Sequence, residues 1–151
     1  MPRLLPEAVR GAQRKAELCG AIDPVFVGAG LEGIIFRSGN LAYKVRHTTW
    51  EKTERAKQLR TLQNEAAVLH FLDGVLVPHF IAYDRGLDVI TREFVVGEEP
   101  PFPQTGDTHR RICERLKGYF SPPERLESNF VKPATGPIIM VDLGMTWPEA
   151  P

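Results

Sequence analysis

The segment GAGLEG, Gly28 to Gly33, constrains this chain more than any other stretch, because of what comes after it. A G-x-G-x-x-G run forms a dinucleotide site only if a helix starts inside the motif, so that its N-terminus meets the pyrophosphate. Here Gly33 leads into Ile34, Ile35 and Phe36, then a Ser38-Gly39-Asn40 turn and the β-like run LAYKVR. That is strand, loop, strand, which argues against the dinucleotide turn. No Gly-Lys-Ser/Thr follows the glycines, so a P-loop is excluded as well. On the loop alone two readings stay open: a glycine flap over phosphates, or a plain hairpin.

The rest of the chain reads as follows. PEAVRGAQRKAELC, 6–19, has the spacing of a short amphipathic helix, broken by Asp23-Pro24. Three strands span Val25 to Arg46. Apolar positions Leu59, Leu62, Ala66, Leu69 and Leu72 predict a long helix over about 49–72, ended by Asp73-Gly74. Two further strands, about 79–83 and 88–96, flank the turn Asp84-Arg85-Gly86. Nine of the thirteen prolines lie from residue 100 onward, and GEEPPFPQTGD, 97–107, reads as a connector. A helix over about 107–120 and an apolar strand at 138–143 complete the pattern. Residues 1–96 therefore form an N-terminal β-rich lobe, 97–107 a connector, and 108–151 a small C-terminal part.

Nineteen basic residues balance nineteen acidic ones, so net charge supplies no argument for nucleic acid or a membrane surface. Cys19 and Cys113 lie far apart and suit a reducing compartment. There is no signal-peptide core and no apolar run long enough for a membrane span, and a cytoplasmic location is expected.

Two side chains bear on the glycine loop. Ala42 and Lys44 share one face of their strand, since side chains alternate with period two. A small residue beside a cation leaves room for an adenine ring and charge for phosphates; the bland alternative is a solvated edge lysine. Glu65 lies three residues after Leu62 and four before Leu69, on or beside the apolar stripe of the long helix. A carboxylate there needs a partner unless it reaches solvent at the stripe's margin. Lys44 is the natural partner.

The glycine loop between strands, AYKV on the third strand and NEAAVL on the following helix together resemble the N-lobe of the protein kinase-like superfamily. With only eleven residues from Gly33 to Lys44, the spacing is similar to RIO-type atypical kinases and aminoglycoside phosphotransferases. The resemblance implies an α+β fold with a five-stranded antiparallel sheet, one long helix and a much reduced C-terminal lobe. It implies ATP and Mg²⁺ as ligands. Gly28, Gly30 and Gly33 would cover the phosphates, Lys44 would contact them, and Glu65 would hold Lys44. REFVVGEE, 92–99, resembles the hinge, where the Glu93 carbonyl and Val95 amide meet the adenine edge. Asn129 and Asp142, thirteen residues apart, match the family's metal-binding pair, and oxygen donors of this kind suit Mg²⁺.

Two departures bear on activity. The family's catalytic Asp, five residues before the metal-binding Asn, is replaced by Glu124, with Pro122 and Pro123 in place of the usual His and its neighbour. One extra methylene changes where the oxygen sits. His109 lies twenty residues before Asn129 and reads as a surface helix histidine. Seven residues follow Asp142-Leu143-Gly144, so the segments that position peptide substrates in larger kinases are expected to be missing. Two functions stay open. One is phosphotransfer to a protein Ser/Thr or small-molecule hydroxyl. The other is a pseudokinase, a nucleotide-binding or interaction module whose C-terminal part is covered by a partner protein or a second copy.

Overall fold

The computed structural model describes residues 6–30, 33–46 and 62–143. The chain divides into two compact units, Met1–Gln63 with Ile81–Glu93, and Asn64–Phe80 with Phe94–Pro151.

In the first unit, helix α1 (Pro6–Leu18) begins with proline, which costs no hydrogen bond in a first turn, and carries Glu7 early and Lys15 late, the order the helix dipole favours. Its terminator is not Asp23-Pro24 but Gly20, at φ +108°. The Gly20 amide donates to the Glu17 carbonyl and the Ala21 amide to that of Ala16, both at 3.0 Å. This double closure needs the left-handed conformation that glycine adopts freely.

Strands β1 (Val25–Ala29), β2 (Gly33–Ser38), β3 (Leu41–Arg46), β4 (Phe80–Asp84) and β5 (Val89–Glu93) form a five-stranded sheet in the order β1-β2-β3-β5-β4. The β1–β2, β2–β3 and β3–β5 pairs are antiparallel. One face of the sheet lies under α1. Ala12 and Ala16, small enough to let helix and sheet approach closely, pack with Ile34, Phe36, Tyr43, Val45 and Val89. Burying such apolar surface stabilises by roughly 25 cal/mol per Å². A bulge at Val27 interrupts the β1 register between Phe26↔Phe36 and Gly28↔Ile35.

The β2–β3 turn is a two-residue hairpin with Gly39 at φ +60°. Ser38 Oγ secures its base, accepting from the Ile22 amide at 2.9 Å and donating to the Ile22 carbonyl at 2.8 Å. The β4–β5 turn is held by Asp84, whose carboxylate accepts from the Leu87 amide at 2.8 Å. Asp88, at φ +56°, accepts from the Tyr83 hydroxyl at 2.6 Å and the Leu62 amide at 3.0 Å.

The second unit contains α2 (Gln63–Leu72), α3 (Gly106–Leu116) and a two-stranded hairpin of β6 (Phe130–Val131) and β7 (Ile139–Met140). Residues 49–61 of the expected long helix lie outside the described residues. Phe71 of α2 packs on Tyr119 and Phe120 beyond α3, with centroids 5.1 and 5.5 Å apart. The helix expected over 107–120 stops at Leu116, and Gly118 follows at φ +88°. Strand β5 ends at Glu93 rather than 96, and β7 is two residues long, with the Val141 amide just beyond it donating to the Asn129 carbonyl at 2.7 Å. No helix among the described residues is long and apolar enough to cross a membrane.

Candidate active site

The glycine loop is a hairpin connection, closed by the Gly30 amide donating to the Gly33 carbonyl at 3.0 Å. Its glycines have different physical reasons. A Cβ on Gly33 would lie 2.9 Å from the Val45 carbonyl oxygen and 3.1 Å from Lys44 Cγ, so β3 and the lysine stem occupy the place of a side chain. Around Gly28 and Gly30 a Cβ would meet nothing within 4 Å, and neither has a positive φ. Backbone strain therefore explains neither of those two.

On β3, residues alternate between faces. Tyr43 and Val45 join the core under α1, while Ala42, Lys44 and Arg46 occupy the other face, all buried. Lys44 is 3% exposed and sits between Ile35 of β2 and Ile90 of β5. The solvated-edge reading of this lysine fails, because β3 is central in the sheet. Arg92, 4% exposed, stands directly across from Ala42, a neighbour that the sequence reading did not bring to this face. Its Nη1 donates to the Glu93 carbonyl at 2.9 Å. That carbonyl, expected at the adenine edge, thus already accepts one bond from Arg92. The Val95 amide makes no hydrogen bond among the described residues.

In the second unit, Glu65 is 4% exposed and accepts from the Leu143 amide at 3.4 Å. This puts it beside the segment carrying Asp142, and the solvent-reaching alternative for Glu65 is excluded by its burial. The β6–β7 hairpin sets the metal-binding candidates. Asn129 immediately precedes β6, its carbonyl takes the Val141 amide, and Asp142 is the next residue. Both candidates therefore stand at one end of the hairpin, with Asn129 8% exposed. No group of three or more His, Cys, Asp or Glu capable of holding a metal occurs among the described residues. One amide and one carboxylate do suit Mg²⁺ that arrives with phosphates and keeps its waters, for which one or two protein carboxylates suffice.

Gly97, the glycine of the hinge pattern, has a steric cause. A Cβ there would run into the Lys132 carbonyl. The Glu98 amide donates to that carbonyl at 3.0 Å, and the Lys132 amide to the Glu98 carbonyl at 2.7 Å. The connector is thereby joined to the end of β6, and continues into a 3-10 turn, Phe102–Thr105, ahead of α3.

Glu124 is exposed, on a loop tied down at both neighbouring residues. His109 is half-buried rather than a surface histidine, and its Nε2 lies 2.7 Å from the Pro123 carbonyl, to which it donates. Arg125 donates through Nε to Thr105 Oγ1 at 3.0 Å and through Nη2 to the Phe102 carbonyl at 2.8 Å. Its guanidinium lies 4.3 Å over the Phe102 ring. His109 and Cys113 of α3 also line, with Lys117, Phe120 and Pro122, a cavity of about 450 Å³.

The fold is kinase-like. It is similar to that of choline kinase LicA from Streptococcus pneumoniae, at a TM-score of 0.52 and 12% identity, over 95% of this chain and 70% of that one. Two weaker likenesses are a choline/ethanolamine kinase family protein from Mesorhizobium loti and APH(2")-IIa in a ternary complex with streptomycin and ATP. The first has a TM-score of 0.44 at 17% identity over 70% of this chain and 37% of that one. The second has 0.40 at 13% identity over 71% and 34%. No protein-family model matches the sequence, and no curated protein does.

Proposed function

We propose that the chain binds ATP with Mg²⁺ and transfers the γ-phosphoryl group to a hydroxyl of a small molecule or protein. The observation that supports this most is Lys44, buried on the central strand beside Gly33 of the glycine loop. Gly28 and Gly30 let phosphates approach the backbone closely, and Lys44 and Glu65 keep the roles the kinase resemblance assigns them. Ala42, the Glu93 carbonyl and the Val95 amide take the base. Asn129 and Asp142 hold the metal, which supplies charge neutralisation to the phosphates. Glu124 accepts the acceptor's hydroxyl proton as its oxygen bonds to the γ-phosphorus, the bond to the bridging oxygen breaks, and ADP leaves. The free Cys19 and Cys113 accord with a cytoplasmic setting.

The second reading, a pseudokinase that serves as an interaction module for a partner protein or a second copy, is favoured by Arg92. Its bond to the Glu93 carbonyl competes with adenine. Thermal melting with and without millimolar ATP plus Mg²⁺ tests binding, and an unchanged midpoint removes the enzyme reading. Given a shift, radiolabelled ATP with wild type, Glu124→Ala and Asp142→Ala tests the chemistry. Both variants are expected to lose at least about tenfold, and full activity in either clears that residue of its role.

A further inference from the structure

The residues on either side of Glu124 are anchored independently, and both anchors come from the same short region of the second unit. Pro123 is buried and its carbonyl receives His109 from α3. Arg125 closes a small network on the preceding 3-10 turn, where Thr105, fully buried, donates its hydroxyl to the Phe102 carbonyl at 2.7 Å while accepting from Arg125. The Phe102 carbonyl thus receives two donors, and the Phe102 ring lies under the guanidinium. Arg125 cannot leave this position without taking from the buried Thr105 oxygen the donor it accepts from, which is costly. Glu124 itself is exposed, and its side chain makes no hydrogen bond or ion pair among the described residues.

We infer that His109 and Arg125 are positioning residues that hold the backbone of Glu124 rigid, in compensation for the longer, more flexible carboxylate at a base position. This rests on the proposed phosphotransfer. A glutamate has one more rotatable bond than an aspartate, and a loose backbone beneath it would compound the loss of aim. A donor from α3 into the Pro123 carbonyl, and acceptors on the 3-10 turn for the Arg125 guanidinium, remove that backbone freedom. Neither His109 nor Arg125 touches a reacting atom in this role.

The test uses the full chain with His109→Leu, which removes the donor, His109→Gln, whose amide reaches a similar distance, and Arg125→Met, which keeps the stem. Amide hydrogen exchange across 124–128 is expected to accelerate about tenfold or more in the Leu and Met variants and to return towards wild type in His109→Gln. ADP release from magnesium-ATP is expected to fall about ten- to a hundredfold in kcat, with KM for ATP unchanged and rescue by His109→Gln. Unchanged exchange overturns the anchoring. Faster exchange with normal kcat, or a loss that His109→Gln fails to restore, overturns the positioning role while leaving the phosphotransfer intact. A wild type that binds magnesium-ATP but never releases ADP overturns phosphotransfer and the positioning role together.

Discussion

Gly33 is the only residue that β2 can place beside Lys44 at that point, because the lysine stem and the Val45 carbonyl already fill the space of a side chain. The carbonyl belongs to a central strand and cannot shift cheaply. Gly33→Ala is therefore expected to destabilise the protein by about 2 kcal/mol in urea unfolding. Gly28→Ala and Gly30→Ala should stay within about 0.5 kcal/mol of wild type while weakening magnesium-ATP binding. Equal losses of stability at all three positions would contradict this division.

Arg92 offers a test of how the hinge treats a base. Arg92→Met keeps the buried stem and releases the Glu93 carbonyl, so ATP affinity is expected to rise about fivefold, the worth of one hydrogen bond. Isothermal titration at fixed Mg²⁺ reads this directly. Unchanged or weaker binding shows that Arg92 does not compete with adenine.

Gly97→Ala should be among the more damaging small substitutions in the second unit, costing about 3 kcal/mol. The added methyl would force apart the Glu98–Lys132 bridge. Denaturant midpoints of Gly97→Ala and of the exposed, unobstructed Gly11→Ala, compared side by side, check the claim.

The two thiols are raised above the ordinary thiol range, each chiefly by burial, with the Asp84 carboxylate adding to the effect at Cys19. Both should alkylate slowly at neutral pH and faster only as pH climbs past that range. A raised folded value binds its proton more tightly than the unfolded chain does. The associated stability is present below the unfolded thiol value and is lost as pH rises through the folded one. A Cys19→Ser, Cys113→Ser double variant should flatten that alkaline decline in melting temperature.

Sheet and loop were legible because their evidence is local. Period-two alternation marks β3, and the run after Gly33 rules out a helix. What the sequence concealed depends on distant partners. Gly20 ends α1 three residues before Asp23-Pro24 because its φ permits two closures to carbonyls behind it. His109 reads as a surface position until the chain brings Pro123 beneath it. Arg125 was discoverable in principle, standing next to Glu124, but its partners at 102 and 105 lie across a helix. Ala42 looked like open floor for a ring until β5 set Arg92 opposite.

The extra residue at Val27 has a consequence for phase. Phe26 opposes Phe36, on the side sealed by α1, whereas Gly28 opposes Ile35, whose neighbour across the next strand is Lys44. In an uninterrupted strand, residues two apart share a side, so Phe26 and Gly28 would have faced the same way. Were Val27 paired in the ladder instead, every letter of GAGLEG would stay in order while its first glycine met Ile34 and turned away from the lysine. A motif written as spacings is blind to that parity, and here a single unmatched valine sets it.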